Sequence, residues 1–94
     1  MPTGVVRVQL PRALLEFWDA PQRVELEAAT LAELAQALNA RWPGLGARVF
    51  DDQGRVRQHV HVFVNEEAID GGAPERVPLK GGDTVHIVPA LSGG

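Results

Sequence analysis

Apolar and polar residues alternate in stretches near both ends of this chain, with a single segment of helical period between them, and this arrangement constrains the fold most. Val6, Val8 and Leu10 alternate with Arg7 and Gln9, and Val24, Leu26 and Ala28 alternate with Arg23, Glu25 and Glu27. A period of two turns one set toward a core and the other toward water, so both stretches read as half-buried strands and together suggest an opening hairpin. The connection from Pro11 to Gln22 is longer than a tight turn, and neither Pro11 nor Pro21 can donate a ladder hydrogen bond. Its apolar residues Leu14, Leu15, Phe17 and Trp18 need cover, and Phe17 and Trp18 read as the loop's own anchor in the core.

Thr30-Leu-Ala-Glu33 has the form of a capping box, in which the hydroxyl accepts from the Glu33 amide and the carboxylate reaches back to the threonine amide. A helix is predicted from Leu31. Leu31, Leu34, Ala35, Leu38 and Trp42 make one apolar stripe, Glu33, Gln36 and Asn39 fall on other faces, and Pro43 ends the helix by excluding its predecessor from the α region. Leu45 to Phe50 suggest a short further helical turn, and Asp51-Asp52-Gln53-Gly54 a surface turn. Val60, Val62 and Val64 then alternate with His61 and Phe63, Asn65-Glu66-Glu67 offers a turn, and Ala68-Ile69 a brief strand. A stretch punctuated by glycine and proline, with Val77 and Leu79 as core plugs, precedes a last strand from Thr84 to Val88. This order predicts an α+β domain: a mixed sheet of four to five strands with one main helix packed across one face, the other face being left partly exposed.

Composition narrows the function. At 94 residues there is room for one core but not for a deep catalytic cleft. The net charge is −3 and the nine basic residues are scattered, which gives nucleic-acid binding little electrostatic support. The absence of cysteine excludes disulfide scaffolds, thiolate metal sites and a cysteine nucleophile. Neither a signal-peptide run nor a stretch of transmembrane length is present, so a cytoplasmic location is expected.

The remaining chemistry-bearing patterns compete. Gly71-Gly72 and Gly81-Gly82 lack the following Lys and Ser/Thr of a phosphate loop and read as turns. His59 and His61 point the same way on a strand and with His86 suggest a three-histidine zinc site, but no carboxylate is placed to orient them, and surface histidines are expected. Asp51-Asp52 and Glu66-Glu67 fall in turns, where carboxylates cap amides or face water. Leu91-Ser92-Gly93-Gly94 is different. Two glycines directly after a strong strand make a poor fold element, yet lacking Cβ atoms they can thread a narrow active site. If Val62, Val64, Val85 and Ile87 face the helix, then Phe63, Val88, His61 and His86 share the opposite face and form a part-apolar patch beside the origin of this tail.

Val62-Phe-Val-Asn65, the closing Leu79-x-x-Gly82-Asp83-x-Val85-x-Ile87-x-Pro89 and the Gly93-Gly94 end resemble the ThiS/MoaD family of ubiquitin-like sulfur carriers, in particular the MoaD-like and CysO-like members. The resemblance implies a β-grasp fold over residues 1–89, with the first and last strands paired in parallel at the sheet centre, and a flexible tail over 90–94. It further implies that the chain is not itself an enzyme and binds no cofactor. By the same resemblance, the Gly94 carboxylate is expected to be adenylated by a separate E1-like enzyme that uses ATP and Mg. A sulfide or persulfide donor is then expected to make a thiocarboxylate, with sulfur passing to an acceptor such as a molybdopterin synthase large subunit or a cysteine-synthase-like enzyme. Gly93, Ser92 and Leu91 are the implied tether, the patch around Phe63 the implied partner face, and a monomer the implied free state. Two alternatives stand beside this reading: a ubiquitin-like modifier that joins Gly94 to lysines, and a noncovalent β-grasp binding module.

Overall fold

The fold is given by a computed structural model that describes residues 4–15, 18–51, 55–58, 60–69 and 76–89. Its sheet is built from β1 (Val5–Gln9), β2 (Arg23–Glu27), β3 (Val60–Val64), β4 (Glu67–Ile69) and β5 (Thr84–Pro89), in the order β2-β1-β5-β3-β4. The opening hairpin is antiparallel with Arg7 opposite Glu25. β5 lies between β1, to which it is parallel with Val8 opposite Val85, and β3, to which it is antiparallel with Val62 opposite Ile87. The last strand is therefore central, as the resemblance implies, and the sheet has five strands.

The period-two pattern sorts the faces as expected. Val6, Val8, Val24, Leu26, Val60, Val62, Val85 and Ile87 are buried beneath the helical layer. That layer is α1 (Leu31–Arg41), which buries Leu31, Leu34 and Leu38, followed by α2 (Leu45–Val49), which buries Leu45 and Val49. Thr30 caps α1 by accepting from Glu33 N at 3.2 Å. The Glu33 carboxylate reaches one residue beyond the expected amide and accepts from Ala29 N at 2.9 Å. Trp42 leaves the helix in extended backbone, as Pro43 requires.

Three tight contacts fix the elements and loops against one another. Gly46 lies so close to α1 that a Cβ there would sit 2.6 Å from Ala35 O, and its amide donates to Asn39 Oδ1 at 2.7 Å. The loop after β1 begins with a 3-10 turn (Arg12–Leu15) and continues to Trp18, whose Nε1 donates to Pro43 O at 2.8 Å while its ring packs on the core. Trp18 is thus an anchor, as expected; Phe17 lies outside the described residues. At the start of the sheet Gly4 crosses Gly81 backbone against backbone, leaving no room for a side chain on Gly4.

Candidate functional site

β5 determines what this domain can present. Its first residue is tied down on both sides. Arg7 N donates to Asp83 O at 2.9 Å, and Asn65 N donates to Thr84 O at 2.7 Å while Thr84 N donates to Asn65 Oδ1 at 3.1 Å. Asn65 turns β3 into β4 with φ of 57°, a left-handed conformation that asparagine tolerates better than most residues. Its side-chain amide also donates to Asp83 Oδ1 at 3.2 Å, and Asp83 Oδ2 accepts from Lys80 N at 2.9 Å. The Lys80 amide first, then the Asn65 side chain, hold the Asp83 carboxyl below its ordinary value of 3.8, against a small opposing effect of burial and with help from the Lys80 charge. The two internal motifs quoted for the family resemblance thus meet in space as one hydrogen-bonded knot.

From that fixed start β5 runs down the middle of the sheet to Pro89, which lies opposite Val60 and beyond the last residue paired with β1. The missing N–H of Pro89 therefore costs no bond to β1. The sequence expectation ended the strand at Val88, one residue earlier. Leu91, Ser92, Gly93 and Gly94, the expected tether and covalent carrier, lie outside the described residues.

The patch expected beside the tail's origin is brought together. His61 pairs with Val88 and Phe63 with His86 across β3 and β5, so all four lie on the face away from the helices. Ala68 of β4 pairs with Phe63 and extends this area. Phe63 and His86 are half-buried, His61 is exposed and Val88 is 37% exposed. Toward β1 and β2 the same face becomes charged, with Arg7 Nε 4.0 Å from Glu25 Oε2 and both side chains largely in water. His59 lies outside the described residues, and among those described no group of three or more potential metal ligands gathers. Of the carboxylates expected in turns, Asp51 Oδ1 accepts from Arg55 N at 2.9 Å, Glu66 is exposed in the turn, Glu67 is exposed as the first residue of β4 and not in the turn, and Asp52 lies outside the described residues.

A β-grasp domain whose central strand borders an open, part-apolar sheet face, with Gly93-Gly94 a few residues further along the sequence, is a ubiquitin-like protein by architecture. The model of the ThiS family matches residues 8–94, and the chain belongs to that family. The sulfur carrier protein CysO of Mycobacterium tuberculosis is 28% identical over 91 residues, covering 95% of this chain and 98% of the relative. Small archaeal modifier protein 3 of Haloferax volcanii is 35% identical over 69 residues, covering 70% of this chain and 71% of the relative. Among solved structures, the Amycolatopsis orientalis BexX/CysO complex contains a chain that superposes with a TM-score of 0.81 at 29% identity, covering 95% of this chain and 99% of that one. Modifier SAMP1 of Haloferax volcanii superposes with a TM-score of 0.72 at 30% identity, covering 97% of this chain and 100% of that one.

Proposed function

We propose that this chain is a sulfur carrier, a substrate of partner enzymes rather than a catalyst, and that Gly94 is the residue activated. The observation that carries this reading is the family match, which runs through the core and includes Gly93 and Gly94. A free carboxylate is a poor acyl donor because its leaving group is oxide. One Gly94 oxygen therefore attacks the α-phosphorus of ATP on an E1-like enzyme that also holds the Mg, and pyrophosphate leaves. The acyl-adenylate carbonyl is then attacked by sulfide, or by a persulfide whose S–S bond is later reduced by a thiol. AMP leaves and a thiocarboxylate remains. The domain contributes the delivery. Extended chain advances about 3.3 Å per residue, so positions 90 to 94 reach roughly 16 Å beyond Pro89 into a partner channel. Phe63, Val88, His61 and His86 form the docking patch that holds the partner at the tail's root. The acceptor is a cysteine-synthase-like enzyme or a molybdopterin synthase large subunit.

A second reading has its own support. Small archaeal modifier proteins 1 and 3 are 34% and 35% identical to this chain over most of its length. In that case a lysine amine in place of sulfur takes the same activated acyl group. One assay separates the two: intact mass after incubation with ATP, Mg, a sulfide source and an E1-like enzyme. Replacement of one oxygen by sulfur, absent on deletion of Gly94, supports the carrier. A lysine-linked adduct supports the modifier. No change with an enzyme active on its own substrate removes both and leaves a noncovalent module.

A further inference from the structure

The sheet has a second feature that tail and patch do not use. β2 is an edge strand, and its register defines which of its backbone groups face outward. Leu10 N donates to Gln22 O at 2.7 Å, in line with the pairing of Val8 with Val24 and of Val6 with Leu26. Antiparallel ladders alternate, so the even-numbered residues of β2 bond to β1, whereas Arg23, Glu25 and Glu27 turn their N–H and C=O groups away from it. Arg7 N bonds toward Asp83 and β5, the alternation this requires on β1. Among the described residues, no backbone or side-chain group bonds the outward edge at 23, 25 or 27.

Beside this edge lies an open cleft of about 640 Å³ that runs from β1 and the first residue of β5 across the start of β2 to the end of α1. Its charged lining is Arg7, Arg23 and Arg41 against the single carboxylate of Glu25, in a chain whose net charge is −3. Glu25 is already turned to Arg7. Arg41 lies over the Trp42 ring at 4.8 Å, and neither Arg23 nor Arg41 has an ion pair among the described residues. Pro21 closes one end of the cleft.

We propose that the outward edge of β2 and the Arg7/Arg23/Arg41 cleft together form a strand-addition site for an extended, acidic segment of a partner protein. Main-chain bonds to residues 23, 25 and 27 align the segment, and its carboxylates meet guanidinium groups that present several donors each. A second copy of the chain fits less well. Pairing centred on Glu25 sets Glu25 against itself, and pairing centred on Val24 sets Glu27 against Pro21, which has no N–H. β1 and β5 lie between this edge and the strand of Phe63, three spacings or about 14 Å across the sheet, so pairing at the edge is expected to be independent of the tail.

The test is an amide-resolved NMR titration of the full chain with a hexapeptide of alternating valine and aspartate. The expected result is shifted and exchange-protected amides at Arg23, Glu25 and Glu27, unchanged amides at Phe63 and Val88, and the same affinity after deletion of Gly94. Arg23→Glu/Arg41→Glu is expected to weaken binding about tenfold, as is raised salt, through lost charge attraction. The same peptide N-methylated at alternate residues tests the ladder without altering the protein, and is expected not to bind. The proposal is overturned if no shifts occur up to about 1 mM peptide, or if they fall at Phe63 and Val88. It is also overturned if a control hexapeptide of alternating valine and lysine binds equally well, or if the edge amides shift with protein concentration alone, which would assign the edge to a second copy.

Discussion

The Asn65 knot sets the start of the functional strand, and replacing Asn65 by alanine measures what it contributes. The substitution removes two side-chain bonds, the one accepted from Thr84 N and the one donated to Asp83. Asn65 is exposed, so each is placed at the lower end of the range, about 0.5 kcal/mol. Alanine must also hold φ of 57°, at a cost of about 1 to 2 kcal/mol. The expected loss is about 2 to 3 kcal/mol, a substantial share of a domain stability of about 5 to 15. Asn65→Gly loses the same bonds but not the backbone fit, and even with glycine's greater unfolded-state entropy it should be less damaging than alanine by about 1 kcal/mol. In urea, with m about 1 to 1.5 kcal/mol/M, the alanine variant's midpoint falls by about 2 M at unchanged m. A shift below about 0.5 M refutes the claim that the knot holds β5, and equal effects of alanine and glycine refute the backbone argument.

The same knot has an acid limb. Because the folded Asp83 pKa is lowered, its contribution is complete above the ordinary value of 3.8 and is lost as pH falls through the lower folded value. Urea midpoints of the wild type and Asp83→Asn should therefore differ at about pH 6 and converge toward about pH 2, and a constant difference contradicts the assignment. Gly46→Ala places a Cβ 2.6 Å from Ala35 O and 2.9 Å from Asn39 Oδ1, so α2 must move off α1. Overpacking of this kind costs about 1 to 3 kcal/mol, and an unchanged Tm rules out the close approach. If the proposed function holds, Phe63→Asp should fold normally and weaken binding of an E1-like partner, measured by calorimetry. If it unfolds the domain, Phe63 belongs to the core and not to a docking face.

Local signals made much of this fold legible. The capping threonine and Pro43 bracket α1 to the residue, and period-two alternation assigns Val62, Val85 and Ile87 to the core and Phe63, His61, His86 and Val88 to the open face. Alternation does not say which strands are neighbours. The parallel pairing of β1 and β5 joins residues nearly 80 positions apart, and it entered only through the family resemblance. Other features were invisible for a related reason. The turn signal at Asn65 was read, but its bonds to Asp83 and Thr84 depend on where the chain returns 18 and 19 residues later. Asn39 falls off the apolar stripe, yet its amide oxygen accepts from Gly46 N because α2 folds back onto α1. Gly4 has no turn pattern around it, and only the crossing with Gly81 gives it a purpose. The capping box identifies Glu33 as a capping carboxylate, but the amide it accepts from is that of Ala29 and not of Thr30.

The central position of β5 links manufacture to use. Until the chain has been synthesised through Pro89, β1 and β3 have nothing between them, and Val8 and Val62 lack Val85 and Ile87, the neighbours that join the two halves of the sheet into one core. Contacts of such long sequence separation form late, after their loops have been closed. A molecule interrupted before this strand lacks both Gly93-Gly94 and a completed sheet. Under the proposed function, the strand that precedes Gly93 and Gly94 in sequence also completes the sheet face on which a partner would dock, so a chain cut short of the one lacks the other.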